Sequence, residues 1–224
     1  VKRKKVYNGD FCDMKKVCVV TGGGSGIGFA AAKEAAKKGY YVMIVGRNEK
    51  KLAGAVEELR KDGCEAEAYS CDVSDREHCF ALARHAAECG AVKAVLHIAG
   101  MSPHMGDAEK IMQANALGTV NINDAFFEVI AEGGCVIDTS SISAYMTPSF
   151  IMPKRVYPLA CTDRKLFMDK MMKKVSLFAN MTSKTPILGD LESLVSFMKT
   201  DEKLKFLTQS YRLTGKKTYK ADLI

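Results

Sequence analysis

The segment that most constrains this chain is VCVVTGGGSGIGFAAAKEAAKKG, from Val17 to Gly39. Val17 to Thr21 form a short run without the alternation of a half-exposed strand, as expected of a strand covered on both faces. A glycine cluster follows directly, and Gly26 to Lys38 then read as an alanine-rich helix. A buried strand that turns at once into a helix commits the chain to a strand-helix crossover, because a covered strand needs further strands on either side.

The sequence repeats the unit. Tyr41 to Val45 and Glu65 to Ser70 give strand signals, separated by a charged helix from Glu49 to Lys61 that Gly63 closes. Asp75 to Cys89 is helical with Ser74 or Asp75 as cap, Ala94 to Ile98 is a fourth strand, Asp107 to Ala131 a long helix or pair of helices, and Cys135 to Thr139 a fifth strand. Right-handed crossovers of this length predict an α/β fold, a Rossmann-like doubly wound parallel sheet. After Ser143 the alternation stops. Ala144 to Thr214 are rich in lysine and methionine and helical in period, with LFMDKMMKKVSLF and LESLVSFMKTDEKLKFL the clearest stretches, so a helical insertion or cap is expected after strand five.

At 224 residues and 47% hydrophobic content, the chain can bury one large core. The division expected is a basic extension over 1–13, a dinucleotide-binding domain over 14–143, and the insertion or substrate cap over 144–224. The net charge of +7 does not point to nucleic acid, since four of the basic residues sit in the opening VKRKK and no basic stripe interleaved with aromatics occurs elsewhere. No run approaches the roughly 18 apolar residues of a membrane span. The eight cysteines, at 12, 18, 64, 71, 79, 89, 135 and 161, form no Cys-x-x-Cys pair and read as reduced thiols of a cytoplasmic protein. The four histidines fall at no metal-ligand spacing, and no metal site is expected.

In TGGGSGIG, Gly22 permits the tight turn, Gly26 lets a pyrophosphate approach the backbone, and Gly28 lets the helix pack close to the strand. The spacing is Thr-Gly-x-x-x-Gly-x-Gly, and with it the chain resembles the short-chain dehydrogenase/reductase family. Further matches follow in order: CDVSD at 71–75, HIAG at 97–100 in place of the usual Asn-Asn-Ala-Gly, NALGT with Asn115, and VIDTSSISA with Ser141. The resemblance implies that the cofactor lies on Thr21, Gly22, Gly24, Ser25, Gly26, Ile27 and Gly28, and on Ala99 and Gly100 near its other end. It also implies that Asp72 bonds the adenine, with Val73 beside it. Gly46 places no carboxylate at the end of strand two, whereas Arg47 can pair with a 2′-phosphate, so NADP(H) is expected over NAD(H). The plain alternative is that Arg47 is a surface cation at a helix start.

In this family a tyrosine exchanges the proton of the reacting alcohol or carbonyl, and a lysine four residues on depresses its pKa. A serine bonds the substrate oxygen, and an asparagine positions a water. Ser141 and Asn115 match the serine and the asparagine; singly, each is also read as a turn cap or a backbone-bonded helix residue. No Tyr-x-x-x-Lys occurs in the sequence. Tyr157 lies sixteen residues after Ser141 but has Cys161 at the lysine position, and Tyr211 has Lys216 five residues on, about 140° away on a helix instead of about 40°. The short connection from Gly100 to Asn115 and the long stretch after Ser141 resemble the branch with bacterial 3α-hydroxysteroid dehydrogenase/carbonyl reductase, in which a helical insertion separates serine from tyrosine. On that resemblance the tyrosine, the lysine and the last strands belong beyond Ile224, in a chain cut short.

Within the insertion, Leu166, Phe167, Met171 and Phe178 are expected to share an apolar face, with Lys165, Lys170, Lys173 and Lys174 wet. Such a helix serves as a lid for a bulky apolar substrate or as a contact for a membrane surface or partner. The function implied is NADP-dependent interconversion of an apolar secondary alcohol and ketone by a homo-oligomer. The other reading is a protein that binds NADP(H) without turnover, as sensor or interaction module.

Overall fold

A computed structural model describes residues 15–102, 105–140 and 155–182, the last six of these by backbone alone. The basic extension, Ser141, most of the expected insertion, Tyr211 and Lys216 lie outside the described residues.

Five parallel strands form one sheet: β1 (Lys16–Thr21), β2 (Tyr41–Gly46), β3 (Ala66–Ser70), β4 (Ala91–His97) and β5 (Cys135–Asp138), in the order β3-β2-β1-β4-β5. The chain therefore runs outward in one direction from β1 to β3 and returns to β1's other side with β4. That reversal makes the gap between the carboxyl ends of β1 and β4 the crevice where doubly wound sheets take their ligands.

Alternation along the strands feeds two cores. Val17, Val19, Met43 and Val45 point to the face covered by α3 (Arg76–Cys89) and α5 (Gly118–Val129), where Leu82, Ile122 and Phe126 meet them. Cys18, Val20, Val42 and Ile44 point the other way, with Leu52, Val56 and Leu59 of α2 (Glu49–Lys61) and Ala32 of α1 (Gly26–Lys37). The four residues Val17–Val20 are at most 1% exposed, which is why they carry no polar member.

Most boundaries fall within a residue of those read from the sequence, and α2 matches at both ends, where Asn48 caps it by accepting from the Lys51 amide. Asp75, not Ser74, caps α3, accepting from the amides of Glu77 and His78. β4 starts at Ala91, three residues earlier than expected, because the Ala91 amide bonds the Lys15 carbonyl and a bulge in β4 at Lys93, opposite Val17/Cys18, absorbs the offset. The long helix is divided into α4 (Ala108–Met112), one π turn over Gln113–Leu117, and α5.

Beyond β5, α6 (Leu159–Thr162) and α7 (Arg164–Thr182) are helical, as expected after strand five. Arg164 bonds the Asn121 carboxamide and lies 3.5 Å from Asp124, both on α5, and that contact sets which side of α7 faces inward. Phe167, at i+3, is buried, and Met168 and Met171 are half-buried on the same side. Leu166 does not join them: it is 38% exposed, since two residues from Arg164 turn it about 200° away.

Among the described residues Phe126 is the largest fully buried side chain. Phe126→Ala is expected to lower unfolding free energy by about 3–5 kcal/mol. Urea denaturation checks this, and a loss below about 1 kcal/mol would show that α5 does not seal the core.

Candidate functional site

The carboxyl ends of β1, β2 and β4 enclose a cleft of about 640 Å³. Gly22, Ser25, Ile27 and Gly28 line it from the turn after β1 and the start of α1; Arg47, Asp72 and Val73 line it from the ends of β2 and β3; Ala99 and Gly100 line it after β4. Nine residues singled out from the sequence thus share one cavity.

The turn is built by contacts a side chain would prevent. Gly22 has φ +69°, and a Cβ there would lie 3.0 Å from the Ala99 amide nitrogen. At Gly28 a Cβ would lie 2.3 Å from the Gly22 carbonyl oxygen, so only glycine lets α1 start this close to the strand. By contrast, nothing lies within 4 Å of a Cβ position on Gly26, which leaves the turn open on that side. Ser25 is the N-cap of α1 but makes no side-chain capping bond, and no acidic residue stands in the first turn. The positive end of the helix dipole and its leading amides therefore meet the cleft without a competing carboxylate, the arrangement that receives a phosphate group. Ile27, 75% exposed, brings an apolar side chain to the same wall.

Thr21 does not line the cleft; it holds the floor. Its buried hydroxyl accepts from the amides of Ile98 and Ala99, each at 3.1 Å, and lies 2.8 Å from His97 Nδ1. With both lone pairs engaged, the hydroxyl has only its proton left for the histidine, so Thr21 donates to His97 Nδ1 and the imidazole carries its own proton on Nε2. Gly24 also lies off the cleft, packed toward Leu52, whose Cδ2 would be 3.3 Å from an added Cβ.

At the other end, the Asp72 carboxylate accepts from the Ser74 amide at 3.0 Å and hydroxyl at 2.7 Å. Burial opposes its charge, but the Ser74 bonds, with Arg47 adding to them, hold it below the ordinary carboxylate range. Arg47 reaches to 4.0 Å from Asp72 and is more than half exposed. Asn121, fully buried, donates to the carbonyls of Val73 and Ser74 and so fastens this loop to α5. Sequence reasoning passes over Asn121, although a polar residue among Val120, Ile122 and Ala125 on a core-facing helix is a signal of its own.

Asn115 sits in the π turn, where its side chain accepts from the Met101 amide at 2.7 Å and donates to the Met101 carbonyl at 2.8 Å. It clamps the loop that follows Gly100. Ser141 lies outside the described residues, three positions past the end of β5, where the Thr139 amide still bonds the His97 carbonyl. Tyr157 is described, and partial burial pushes its phenol above the ordinary value, the opposite of what proton exchange near neutrality needs. Among the described residues α7 contributes nothing to the cleft wall.

The family model of short chain dehydrogenases matches residues 16–153. The chain belongs to that family. A sorbose reductase of Schizosaccharomyces pombe is 32% identical over 145 residues, 58% of this chain and 56% of that protein. A 3β-hydroxysteroid dehydrogenase of Mediterraneibacter gnavus is 32% identical over 139 residues, covering 58% and 50%. The chain spans about half the length of these curated relatives. Among solved structures, an actinorhodin polyketide ketoreductase with NADPH matches with TM-score 0.53 and 25% identity over 60% of this chain and 56% of its own. A metagenomic short-chain oxidoreductase in complex with NADP gives 0.52 and 28% over 56% and 62%.

His97 stands where the short-chain dehydrogenase pattern has its first asparagine, and it is 3% exposed. Burial holds its pKa down to about 4, against an ordinary 6.5. Protonation would also turn Nδ1 into a donor facing a hydroxyl that already accepts twice. Above pH 6.5 the imidazole is neutral folded or unfolded, whereas between about 6.5 and 4 only the unfolded chain takes the proton. Stability is therefore expected to fall through that window, by about 2 kcal/mol from this group at about pH 5, and to level off below about 4. Urea denaturation of the wild type and His97→Asn at both pH values checks this; equal pH dependence in the two would contradict it.

Proposed function

We propose that this short-chain dehydrogenase is an NADP(H)-dependent oxidoreductase that interconverts a secondary alcohol and a ketone. The observation that carries the reading is the glycine turn at the switch point between β1 and β4, open at Gly26 and facing the uncapped start of α1. The residues fit a dinucleotide: the leading amides of α1 suit its diphosphate, Asp72 and Val73 its adenine, and Ala99 and Gly100 its nicotinamide half. When bound, that cofactor supplies or accepts the hydride.

Choice of cofactor follows from the end of β2. Gly46 offers no carboxylate to a pair of ribose hydroxyls, and Arg47 projects a half-exposed guanidinium over the same part of the cleft. Relatives in the family solved with NADPH or NADP support the assignment. Asn115 keeps the Gly100–Met101 loop in place, and Ser141, close after β5, is assigned the hydrogen bond to the substrate oxygen. The 3β-hydroxysteroid dehydrogenase among the relatives favours a bulky apolar substrate. Assembly as a homo-oligomer belongs to the same proposal. Among the described residues no helix is long and apolar enough to cross a membrane.

Calorimetric titration with NADPH and NADH tests the assignment. Arg47→Ala is expected to weaken NADPH about 10–100-fold, the loss of one charge-assisted contact, and to leave NADH nearly unchanged. Equal weakening of both, or NADH binding as tightly as NADPH to the wild type, would overturn the role of Arg47. Oxidation of NADPH by a panel of ketones then separates turnover from binding alone, the second reading, which rests on the sequence having no Tyr-x-x-x-Lys.

A further inference from the structure

Three side chains of metal-ligating type converge at the end of the sheet opposite the cleft. His85 and Cys89 stand four residues apart near the carboxyl end of α3, so they lie on one face of the helix, one above the other. Glu67, the second residue of edge strand β3, meets them from the sheet. His85 Nε2 is 3.0 Å from Glu67 Oε1, Cys89 Sγ is 3.4 Å from the same oxygen, and Sγ is 3.7 Å from Nε2. Comparing histidines only with histidines and cysteines only with cysteines, the sequence reading expects no metal site and does not see this His-x-x-x-Cys pair.

The dimensions of the triangle are informative. A tetrahedral zinc ion with bonds of about 2.1 Å to nitrogen and oxygen and about 2.3 Å to sulfur sets its ligand atoms about 3.4 Å apart for N and O, and about 3.6 Å apart where sulfur is one of the pair. The three observed separations differ from these by a few tenths of an ångström. One nitrogen, one sulfur and one oxygen donor suit a borderline-soft ion; magnesium and calcium want oxygen alone. The surroundings hold the donors in place: the Tyr69 ring leans on His85 with centroids 5.2 Å apart. Glu67 and His85 keep 23% and 38% of their side chains exposed, so an ion can enter and a fourth position can face water.

We propose that Glu67, His85 and Cys89 form a zinc site with water as the fourth ligand, clamping edge strand β3 to α3. On binding, Cys89 gives its thiol proton to solvent and the sulfur ligates as thiolate. The site is separate from the cofactor cleft: Glu67 is at the start of β3 and Cys89 precedes β4, whereas the cleft lies past the other ends of both strands. The proposal therefore stands apart from the assigned redox role.

Titration of the full chain with Co²⁺ after chelation tests it. One cobalt per chain is expected, with a thiolate-to-cobalt charge-transfer band in the near ultraviolet that one equivalent of Zn²⁺ abolishes. Cys89→Ser is expected to lose the band. His85→Ala and Glu67→Gln are expected to weaken cobalt binding at least about 10-fold. Cys64→Ser, altered at a thiol outside the triangle, keeps the band, and circular dichroism shows which variants hold their fold. Zinc should also raise the melting temperature of the wild type by several degrees and leave Glu67→Gln unmoved. No band in the wild type, or a band that survives in folded Cys89→Ser, would overturn the proposal and leave the triangle as an ion pair beside a thiol.

Discussion

The Thr21 hydroxyl joins β1 to the turn after β4 through three partners, and its position decides where both chains go next. By accepting from the amides of Ile98 and Ala99 it draws the β4 turn against Gly22, where a Cβ would sit 3.0 Å from the Ala99 nitrogen. By donating to His97 Nδ1 it fixes a buried imidazole in its neutral form. The glycine turn can then rise over this floor and deliver the first amides of α1 to the crevice between two strands that lead their helices to opposite sides. An apolar residue of the same shape would leave two amides and a ring nitrogen unsatisfied in the interior, at about 1–3 kcal/mol each.

The two ends of the sheet differ in chemistry for a reason rooted in direction. Parallel strands place every carboxyl end on one side, so the turns after β1, β2, β3 and β4 gather in one place with their glycines, Arg47 and Asp72. The opposite end receives the carboxyl ends of the helices and the starts of the strands, which is how Cys89 and Glu67 meet there. A fold that separates a nucleotide-shaped cleft from a stabilising cluster in this way lets either be altered with little effect on the other.

How much was legible in the sequence depends on whether a signal was local. Strands β1 and β2 were, because Val17–Val20 and Val42–Val45 are apolar without a break; α2 was legible to the residue, its charged run closed by Gly63. The early start of β4 was not, since Ala91–Lys93 look like any loop until Lys15 offers its carbonyl from a distant part of the chain. The same holds at the site. The spacing of Gly22, Gly26 and Gly28 announces a phosphate turn, but nothing near Thr21 says that its hydroxyl belongs to His97, 76 residues on. The π turn that carries Asn115, the hold of Asn121 on Val73 and the outward turn of Leu166 all depend on which element packs where, and none has a periodic signature.

The central claim is that the close contact at Gly28 makes the start of α1 a seat for a diphosphate, and Gly28→Ala reaches it most directly. An added methyl group would have to push the Gly22 carbonyl away from a position 2.3 Å distant, displacing the turn while the strands and their cores remain. Isothermal titration of this variant with NADPH, beside a circular dichroism spectrum matching the wild type, is predicted to show affinity lowered at least about 10-fold, a loss of at least about 1.4 kcal/mol. A folded Gly28→Ala chain that binds NADPH as tightly as the wild type would contradict the account.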